Sequence, residues 1–307
     1  MKPTNGLAHM LRQEGIVLAP GAYDGLSAKI IEQAGFQAVY MTGFGTAASV
    51  LGQPDVGLLS MTEMVSHAAN IVSAVSIPVI ADADTGYGNP INVGRTVREY
   101  ERAGVAAVQI EDQAWPKKCG HMEGKVVIPK EEMVQKVRAA ADARVNKDFL
   151  IIARTDARAV HGIEDAINRA QSYADAGADV LFVEAPQSAA EIEHVAKSLS
   201  SSRPLLFNTA FGGKTPAMPV DKLEAMGYKI VIFPIDALMI ASRSITVLMQ
   251  ELKSKHSTQG LWDRMTSFQD FNELIGLPRI RALESRYGVD QVQQGSGTKA
   301  LPADRQR

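Results

Sequence analysis

The sequence predicts an α/β fold, a (β/α)8 TIM barrel carrying a C-terminal helical extension. Three observations predict it. Short β-branched apolar runs alternate with amphipathic stretches along the 307 residues. Eight such runs are present. Several of the helical stretches close on Ala-Gly or a near equivalent just before the next run, where glycine supplies the left-handed residue that ends a helix. Apolar strands separated by helices imply a parallel sheet covered on its outer face, and eight such units in about 250 residues match a closed barrel. A doubly wound open sheet is the alternative.

The predicted strands are "IVLAPGA" (16–22), "AVYMTG" (38–43), "PVIADAD" (78–84), "AVQIED" (107–112), "FLIIARTDA" (149–157), "VLFVEAP" (180–186), "PLLFNT" (204–209) and "KIVIFP" (229–234). Helical periodicity lies between them, as in 25–36, 92–106, 163–179 and 189–200. No linker divides the chain. One domain is expected over 1–290, including C-terminal helices from about residue 240, followed by a polar, disordered tail at 291–307.

Composition narrows the function classes. Hydrophobic residues make up 46% and charged residues 21%, with a formal net charge of -2, so nothing points to nucleic acid or an anionic membrane. No apolar run reaches the roughly 18 residues of a membrane span, and the first 15 residues lack the apolar core of a signal peptide. The single cysteine, Cys119, rules out an intrachain disulfide. A cytoplasmic protein is expected.

In a TIM barrel the chemistry sits at the C-terminal ends of the strands. The polar residues there are Tyr40, Thr42, Asp82, Asp84, Glu111, Asp112, Arg154, Asp156, Glu184 and Asn208, all expected at one mouth. Asp82 and Asp84 bracket one alanine. On a strand they would share a side, so a positive charge is expected between them. With Glu111 they form a set of hard oxygen donors, which suits Mg²⁺. Strand-end acids also cap helices, but the glycines after Asp84 do not read as a helix start. Asp55, in "LGQPDVG", is a fourth candidate that a turn explains equally well.

The stretch "WPKKCGHMEGKVVIP" (115–129) places Cys119 beside Lys117, Lys118, His121 and Lys125. Neighbouring cations favour a thiolate. A lone cysteine is most often a small buried apolar residue; the cations and glycines point instead to a reactive, mobile loop. A zinc site lacks partner ligands here. Arg154 calls for an anion, either a substrate carboxylate or an internal partner such as Glu184 or Asp156. His9, His67, His161, His194 and His256 read as ordinary surface or helix residues.

The motifs "YMTGFG", "LGQPDVGLL", "DADTGYG", "IEDQAWPKKCGHMEGKVVIP", "ARTDAR", "FVEAP" and "GGKTP", in this order, resemble the isocitrate lyase and phosphoenolpyruvate mutase superfamily over nearly the whole chain. That resemblance implies a helix-swapped homotetramer of (β/α)8 barrels acting on 2-oxo or 2-hydroxy acids with Mg²⁺, or Mn²⁺ in its place. It implies that Asp82 and Asp84 bind the metal, with Asp55 and Glu111 supporting through water. It implies that backbone N–H groups of Thr42, Gly43 and Phe44 hold a substrate carboxylate, and that Arg154 contacts the pyruvate-like part. Gly120, Glu184 and Asn208 join as substrate contacts. Cys119 matches the acid/base of the carbon–carbon lyases, with His121 beside it. Tyr40 and Glu111 both stand as candidate bases.

Mutases that move phosphorus do not carry the cysteine motif in this form, which favours a lyase. Methylisocitrate lyases carry two arginines and a glutamate where alignment places Met239, Phe268 and Phe211. All three changes remove polar groups, and a third buried carboxylate without a cation would be expensive. "WPKKCGHM", "GGKTP" and "FNELIGL" look most like the petal death protein and dimethylmalate lyase branch. The expected reaction is cleavage of a substituted (2R)-malate to pyruvate or another 2-oxo acid and a short carboxylate. Oxaloacetate hydrolysis or decarboxylation is the alternative; methylisocitrate lyase and carboxyphosphonoenolpyruvate mutase are further ones.

Overall fold

A computed structural model describes residues 4–120, 122–209 and 211–288. His121 and the expected tail at 291–307 lie outside the described residues. The chain forms two compact units that divide after Gln250.

The first unit is a closed barrel of eight parallel strands. They are β1 (Val17–Ala22), β2 (Val39–Met41), β3 (Val79–Asp82), β4 (Ala107–Glu111), β5 (Leu150–Thr155), β6 (Val180–Val183), β7 (Leu205–Asn208) and β8 (Tyr228–Phe233). Each falls within or one residue beyond its predicted run. The ring closes where Val17, Leu18, Ala19 and Pro20 of β1 pair with Ile230 to Phe233 of β8. The open-sheet alternative is therefore not adopted.

Around the strands run α2 (Gly25–Gln33), a short α3 (Gly43–Thr46) continued by a wider turn at Ala47–Leu51, α4 (Met61–Ala74), α5 (Pro90–Ala103) and α6 (Lys130–Ala143). They are followed by α7 (Arg158–His161), α8 (Ile163–Asp175), α9 (Ala189–Leu199), α10 (Val220–Met226) and α11 (Asp236–Lys255). Local chemistry sets their ends. Ser60 and Glu63 form a reciprocal capping box at α4. Asn89 caps α5 with Pro90 at its first turn, and Gly104 ends it at φ 90°.

Strand alternation sorts the apolar residues into two cores. One set, including Val39, Val79, Val108 and Ile151, packs against the helices. The other, including Tyr40, Ile80, Ile152, Phe182 and Ile232, fills the barrel interior. Leu7 and Ala8 join this interior core beside Ala38 and Ala106, which precede their strands. They belong to an N-terminal helix, α1 (Thr4–Leu11), which closes the barrel end opposite the strands' C-termini. In sequence this segment is polar and interrupted, and no element is expected there.

The C-terminal helices begin at Asp236, slightly before the expected position. The described part of the second unit contains α12 (Phe268–Leu274) and α13 (Leu277–Arg286). No residue of α11, α12 or α13 is buried. Ile240, Ile245, Trp262, Phe268 and Ile280 are all at least half exposed. Among the described residues no helix is long and apolar enough to cross a membrane.

Candidate active site

At the C-terminal ends of the strands lies a cavity of about 180 Å³. It is below the roughly 300–1,000 Å³ of pockets for drug-sized ligands and so is scaled to a small molecule. Tyr40, Thr42, Phe44, Asp55, Asp82 and Glu111 line it, as do Cys119, Gly120, Arg154, Glu184 and Asn208. The structure therefore gathers most of the sequence-predicted residues on one void.

The acid pair is arranged differently from the expectation. β3 ends at Asp82, and Asp84 adopts φ 47°, so the two-residue alternation of a strand does not govern it. Asp82 faces the cavity and accepts a hydrogen bond from the Asp84 N–H at 3.0 Å, which fixes the turn. A positive charge is present, and it is Lys117. Its Nζ lies 2.5 Å from Asp55 and 2.8 Å from Asp84. The Asp84 contact is an ion pair without hydrogen-bond alignment. Burial and the neighbouring Asp84 raise the Asp82 pKa to about 6, against the opposing pull of Lys117 and Arg154. In sequence Lys117 stands beside the thiol, and nothing local ties it to acids far earlier in the chain.

The internal partners expected of Arg154 are present. The arginine lines the cavity, and Asp156 accepts its Nε and Nη2 at 2.9 and 3.0 Å. Glu111 lies 3.3 Å from its Nη1 and Glu184 3.7 Å from its Nε. Its guanidinium stacks 5.3 Å over the Phe182 ring. Asn208 Nδ2 donates to both oxygens of Glu184, at 3.3 and 3.4 Å. Burial raises the Glu111 pKa well above the carboxylate range, with Arg154 opposing. Glu111 Oε1 is buried without a hydrogen-bond partner.

Asp112 corrects the expectation of a single mouth. Glu111 faces inward, so its neighbour faces the helices. There Asp112 Oδ2 accepts from Thr155 and from Tyr173 of α8, at 2.7 and 2.8 Å. Asp156 is fully buried beneath Arg154 and does not border the cavity.

Tyr40 donates its hydroxyl proton to Gln109 at 3.1 Å. Burial, then the charge of Asp82, raises its pKa well above the usual value. The Thr42 N–H is spent on the Ala22 carbonyl at 3.2 Å, so of the three expected amides only those of Gly43 and Phe44 open α3 toward a ligand. Glycine is required at 43, because a Cβ there would stand 2.5 Å from Asp82 Oδ2.

The Cys119 loop lies over this constellation. A side chain at Gly120 would overlap Arg154 and come within 2.7 Å of Glu184. Gln113 holds Lys118 from both sides, accepting from its N–H at 2.9 Å and donating to its carbonyl at 2.8 Å. The lysines expected to acidify the thiol have other partners. Lys117 serves the acids, Lys118 Nζ donates to the Gly124 carbonyl, and Lys125 donates to Asp156.

Of the apolar residues aligned with polar ones in the methylisocitrate lyases, Phe211 borders the cavity, with Phe182, Ile232, Pro234 and Ile235, and Met239 on α11 does not.

Fold and site together define a TIM-barrel enzyme with a small cavity lined by charged residues. Residues 7–253 match the family model described as phosphoenolpyruvate phosphomutase. A 2,3-dimethylmalate lyase of Eubacterium barkeri is 50% identical over 92% of this chain and 97% of its own. A chloroplastic carboxyvinyl-carboxyphosphonate phosphorylmutase of Arabidopsis thaliana is 45% identical over 91% and 83%. Among solved structures, a 2,3-dimethylmalate lyase matches with TM-score 0.88 at 38% identity over 100% and 99% of the two chains. An oxaloacetate acetylhydrolase bound to 3,3-difluorooxalacetate matches with TM-score 0.87, also at 38%, over 98% and 99%. A phosphonopyruvate hydrolase holding oxalate and Mg²⁺ matches with TM-score 0.85 at 32%, over 94% and 99%. The chain belongs to the phosphoenolpyruvate mutase/isocitrate lyase superfamily. It is a carbon–carbon lyase of that superfamily.

Among the described residues, no three His, Cys, Asp or Glu side chains form a ready metal cage. The donor set nonetheless fits a hard divalent cation. It offers only oxygen, burial and then the neighbouring Asp84 lift Asp82, and one Glu111 oxygen is left orphaned.

Proposed function

We propose that this protein is an Mg²⁺-dependent lyase that cleaves a substituted (2R)-malate, of which 2,3-dimethylmalate is the type, to pyruvate and propionate. The observation that carries the reading is the cavity itself. It brings buried acids, Arg154 and Cys119 onto one void together with the apolar side chains of Phe182, Ile232 and Ile235. A diacid bearing methyl groups presents that distribution of charge and grease.

Asp82 and Asp84, supported by Asp55 and Glu111, would hold the cation, which Mn²⁺ can replace. Its chemistry is that of a Lewis acid, lowering the pKa of the alcohol at C2. Arg154 and the Gly43 and Phe44 N–H groups hold the C1 carboxylate. Glu111, which lines the cavity and keeps Oε1 without a hydrogen-bond partner, takes the C2 hydroxyl proton. Tyr40 is neutral, with its own proton given to Gln109, and orients rather than deprotonates. As the C2–C3 bond breaks, its electron pair goes to C3 and C2 becomes the ketone of pyruvate. Cys119 then delivers a proton to C3, and propionate leaves. Glu184, held by the Asn208 amide, stands beside Arg154 and orients it. The loop excludes water.

A second reading is hydrolysis of oxaloacetate, favoured by the equal identity to the acetylhydrolase structure. Comparing kcat/KM for 2,3-dimethylmalate and oxaloacetate separates the two. The lyase reading expects the dimethyl substrate to be preferred; oxalate and acetate as the faster products would replace it.

The uncovered apolar residues of α11 to α13 support a further proposal, a homotetramer in which these helices pack on other copies. Sedimentation that gives a monomer would remove it. The single cysteine also supports a cytoplasmic location.

A further inference from the structure

Lys125 stands six positions beyond Cys119, and the lyase reading gives it no task. Its side chain is 2% exposed. An ammonium buried to that degree is tolerated only when paired and hydrogen-bonded. Nζ donates to Asp156 Oδ1 at 2.7 Å and to the backbone carbonyl of Gly120. Asp156 is the same carboxylate that grips Arg154 with two hydrogen bonds. One buried acid therefore joins the arginine facing the cavity to the residue following the thiol.

That acid is itself fixed from behind. The Asp156 N–H donates to Asp112 Oδ1 at 2.9 Å, and Asp112 is tied to Thr155 and Tyr173. The chain of contacts runs from the helical layer, through the sheet, to the loop. Lys117 on Asp55 and Asp84 and Gln113 on Lys118 hold the segment before Cys119. Beyond the thiol, Lys118 Nζ reaches the Gly124 carbonyl and the Ala114 N–H the Val126 carbonyl, and Lys125 holds the carbonyl of Gly120, the residue next to Cys119.

We propose that Lys125 is a positioning residue, which seats the Cys119 thiol against the substrate held by Arg154 through their shared partner Asp156. The inference rests on the lyase reading for its kinetic consequence. A proton donor displaced by about 1 Å can lose two orders of magnitude in rate, so the lysine acts on turnover rather than on binding of the diacid.

The test uses the full chain with Mg²⁺ and two variants, Lys125→Met and Lys125→Gln. In Lys125→Met, kcat for 2,3-dimethylmalate falls about 100-fold, while the inhibition constant for oxalate stays at the wild-type value. Cys119 is the only thiol in the chain, so its alkylation by iodoacetamide reports the loop alone. Under saturating oxalate that alkylation becomes several-fold faster in the variant. Lys125→Gln keeps a donor for the Gly120 carbonyl and falls between, and it carries the same comparisons if Lys125→Met does not fold. A wild-type protein that leaves dimethylmalate intact defeats the lyase reading, and the alkylation comparison still decides this inference. Unchanged kcat in an active protein, unchanged alkylation, or kcat and oxalate binding lost in parallel would overturn it.

Discussion

The Lys117 ammonium lies 2.8 Å from an Asp84 carboxylate oxygen, with its side chain only 3% exposed. It approaches Asp55 as well. The loop that carries the thiol thus supplies the counter-charge for two acids proposed to surround the metal. Removing it with Lys117→Met leaves buried carboxylates unpaired, a loss of about 3–5 kcal/mol. The melting temperature falls, and added MgCl₂ restores more of it in the variant than it adds to wild type. Calorimetry with EDTA and with MgCl₂ checks this; equal metal shifts in both proteins would show that ammonium and cation do not share these carboxylates.

Cys119 is assigned only the final proton. Cys119→Ser keeps the shape and removes an acid of suitable pKa, so kcat drops by about 10²–10⁴. Calorimetric binding of oxalate with Mg²⁺ changes little. A variant that turns over normally would take the thiol out of the mechanism.

Tyr40 and Glu111 separate by their protons. Tyr40→Phe removes a hydroxyl whose proton goes to Gln109, and it lowers kcat by less than Glu111→Gln. The glutamate variant loses the base and falls by about 10²–10⁴. Steady-state rates of the two variants decide the order, and the reverse order would move the base to the tyrosine.

Asp156 makes a prediction about acid. Burial alone would raise its pKa, but Arg154 and Lys125 outweigh it and hold the carboxyl at about 2. The unfolded chain titrates near 3.9, so the charge stabilises the fold above that value and the contribution fades as pH falls toward 2. At about 1.4 kcal/mol per unit, Asp156→Asn loses about 2–3 kcal/mol at neutral pH. The gap in melting temperature to wild type narrows between pH 4 and pH 2. A gap that stays constant across that range would mean that the ion pairs contribute no net charge stabilisation.

Much of this was legible from sequence because strand runs, Gly-closed helices and strand-end polar residues each follow from local rules. All eight strands and the cavity side chains Asp82, Glu111, Arg154 and Cys119 came from that reading. What escaped it depended on tertiary geometry. A strand that stops one pair early put Asp84 in a left-handed turn rather than beside Asp82. Alternation sent Asp112 to the helical layer. Lys117 reads as one charge in a basic loop, and only the folded loop brings it to acids 62 and 33 positions earlier in the chain, at Asp55 and Asp84. The helix α1 hid because, among its described side chains, only Leu7 and Ala8 are buried, with Met10 and Leu11 partly so.

The most direct test of the central claim is to incubate the purified protein with Mg²⁺ and racemic 2,3-dimethylmalate in D₂O and follow products by proton NMR. The account predicts pyruvate and propionate in equal amounts, one deuterium at C2 of the propionate, and no products once EDTA is added. Intact dimethylmalate, or cleavage indifferent to EDTA, would contradict it.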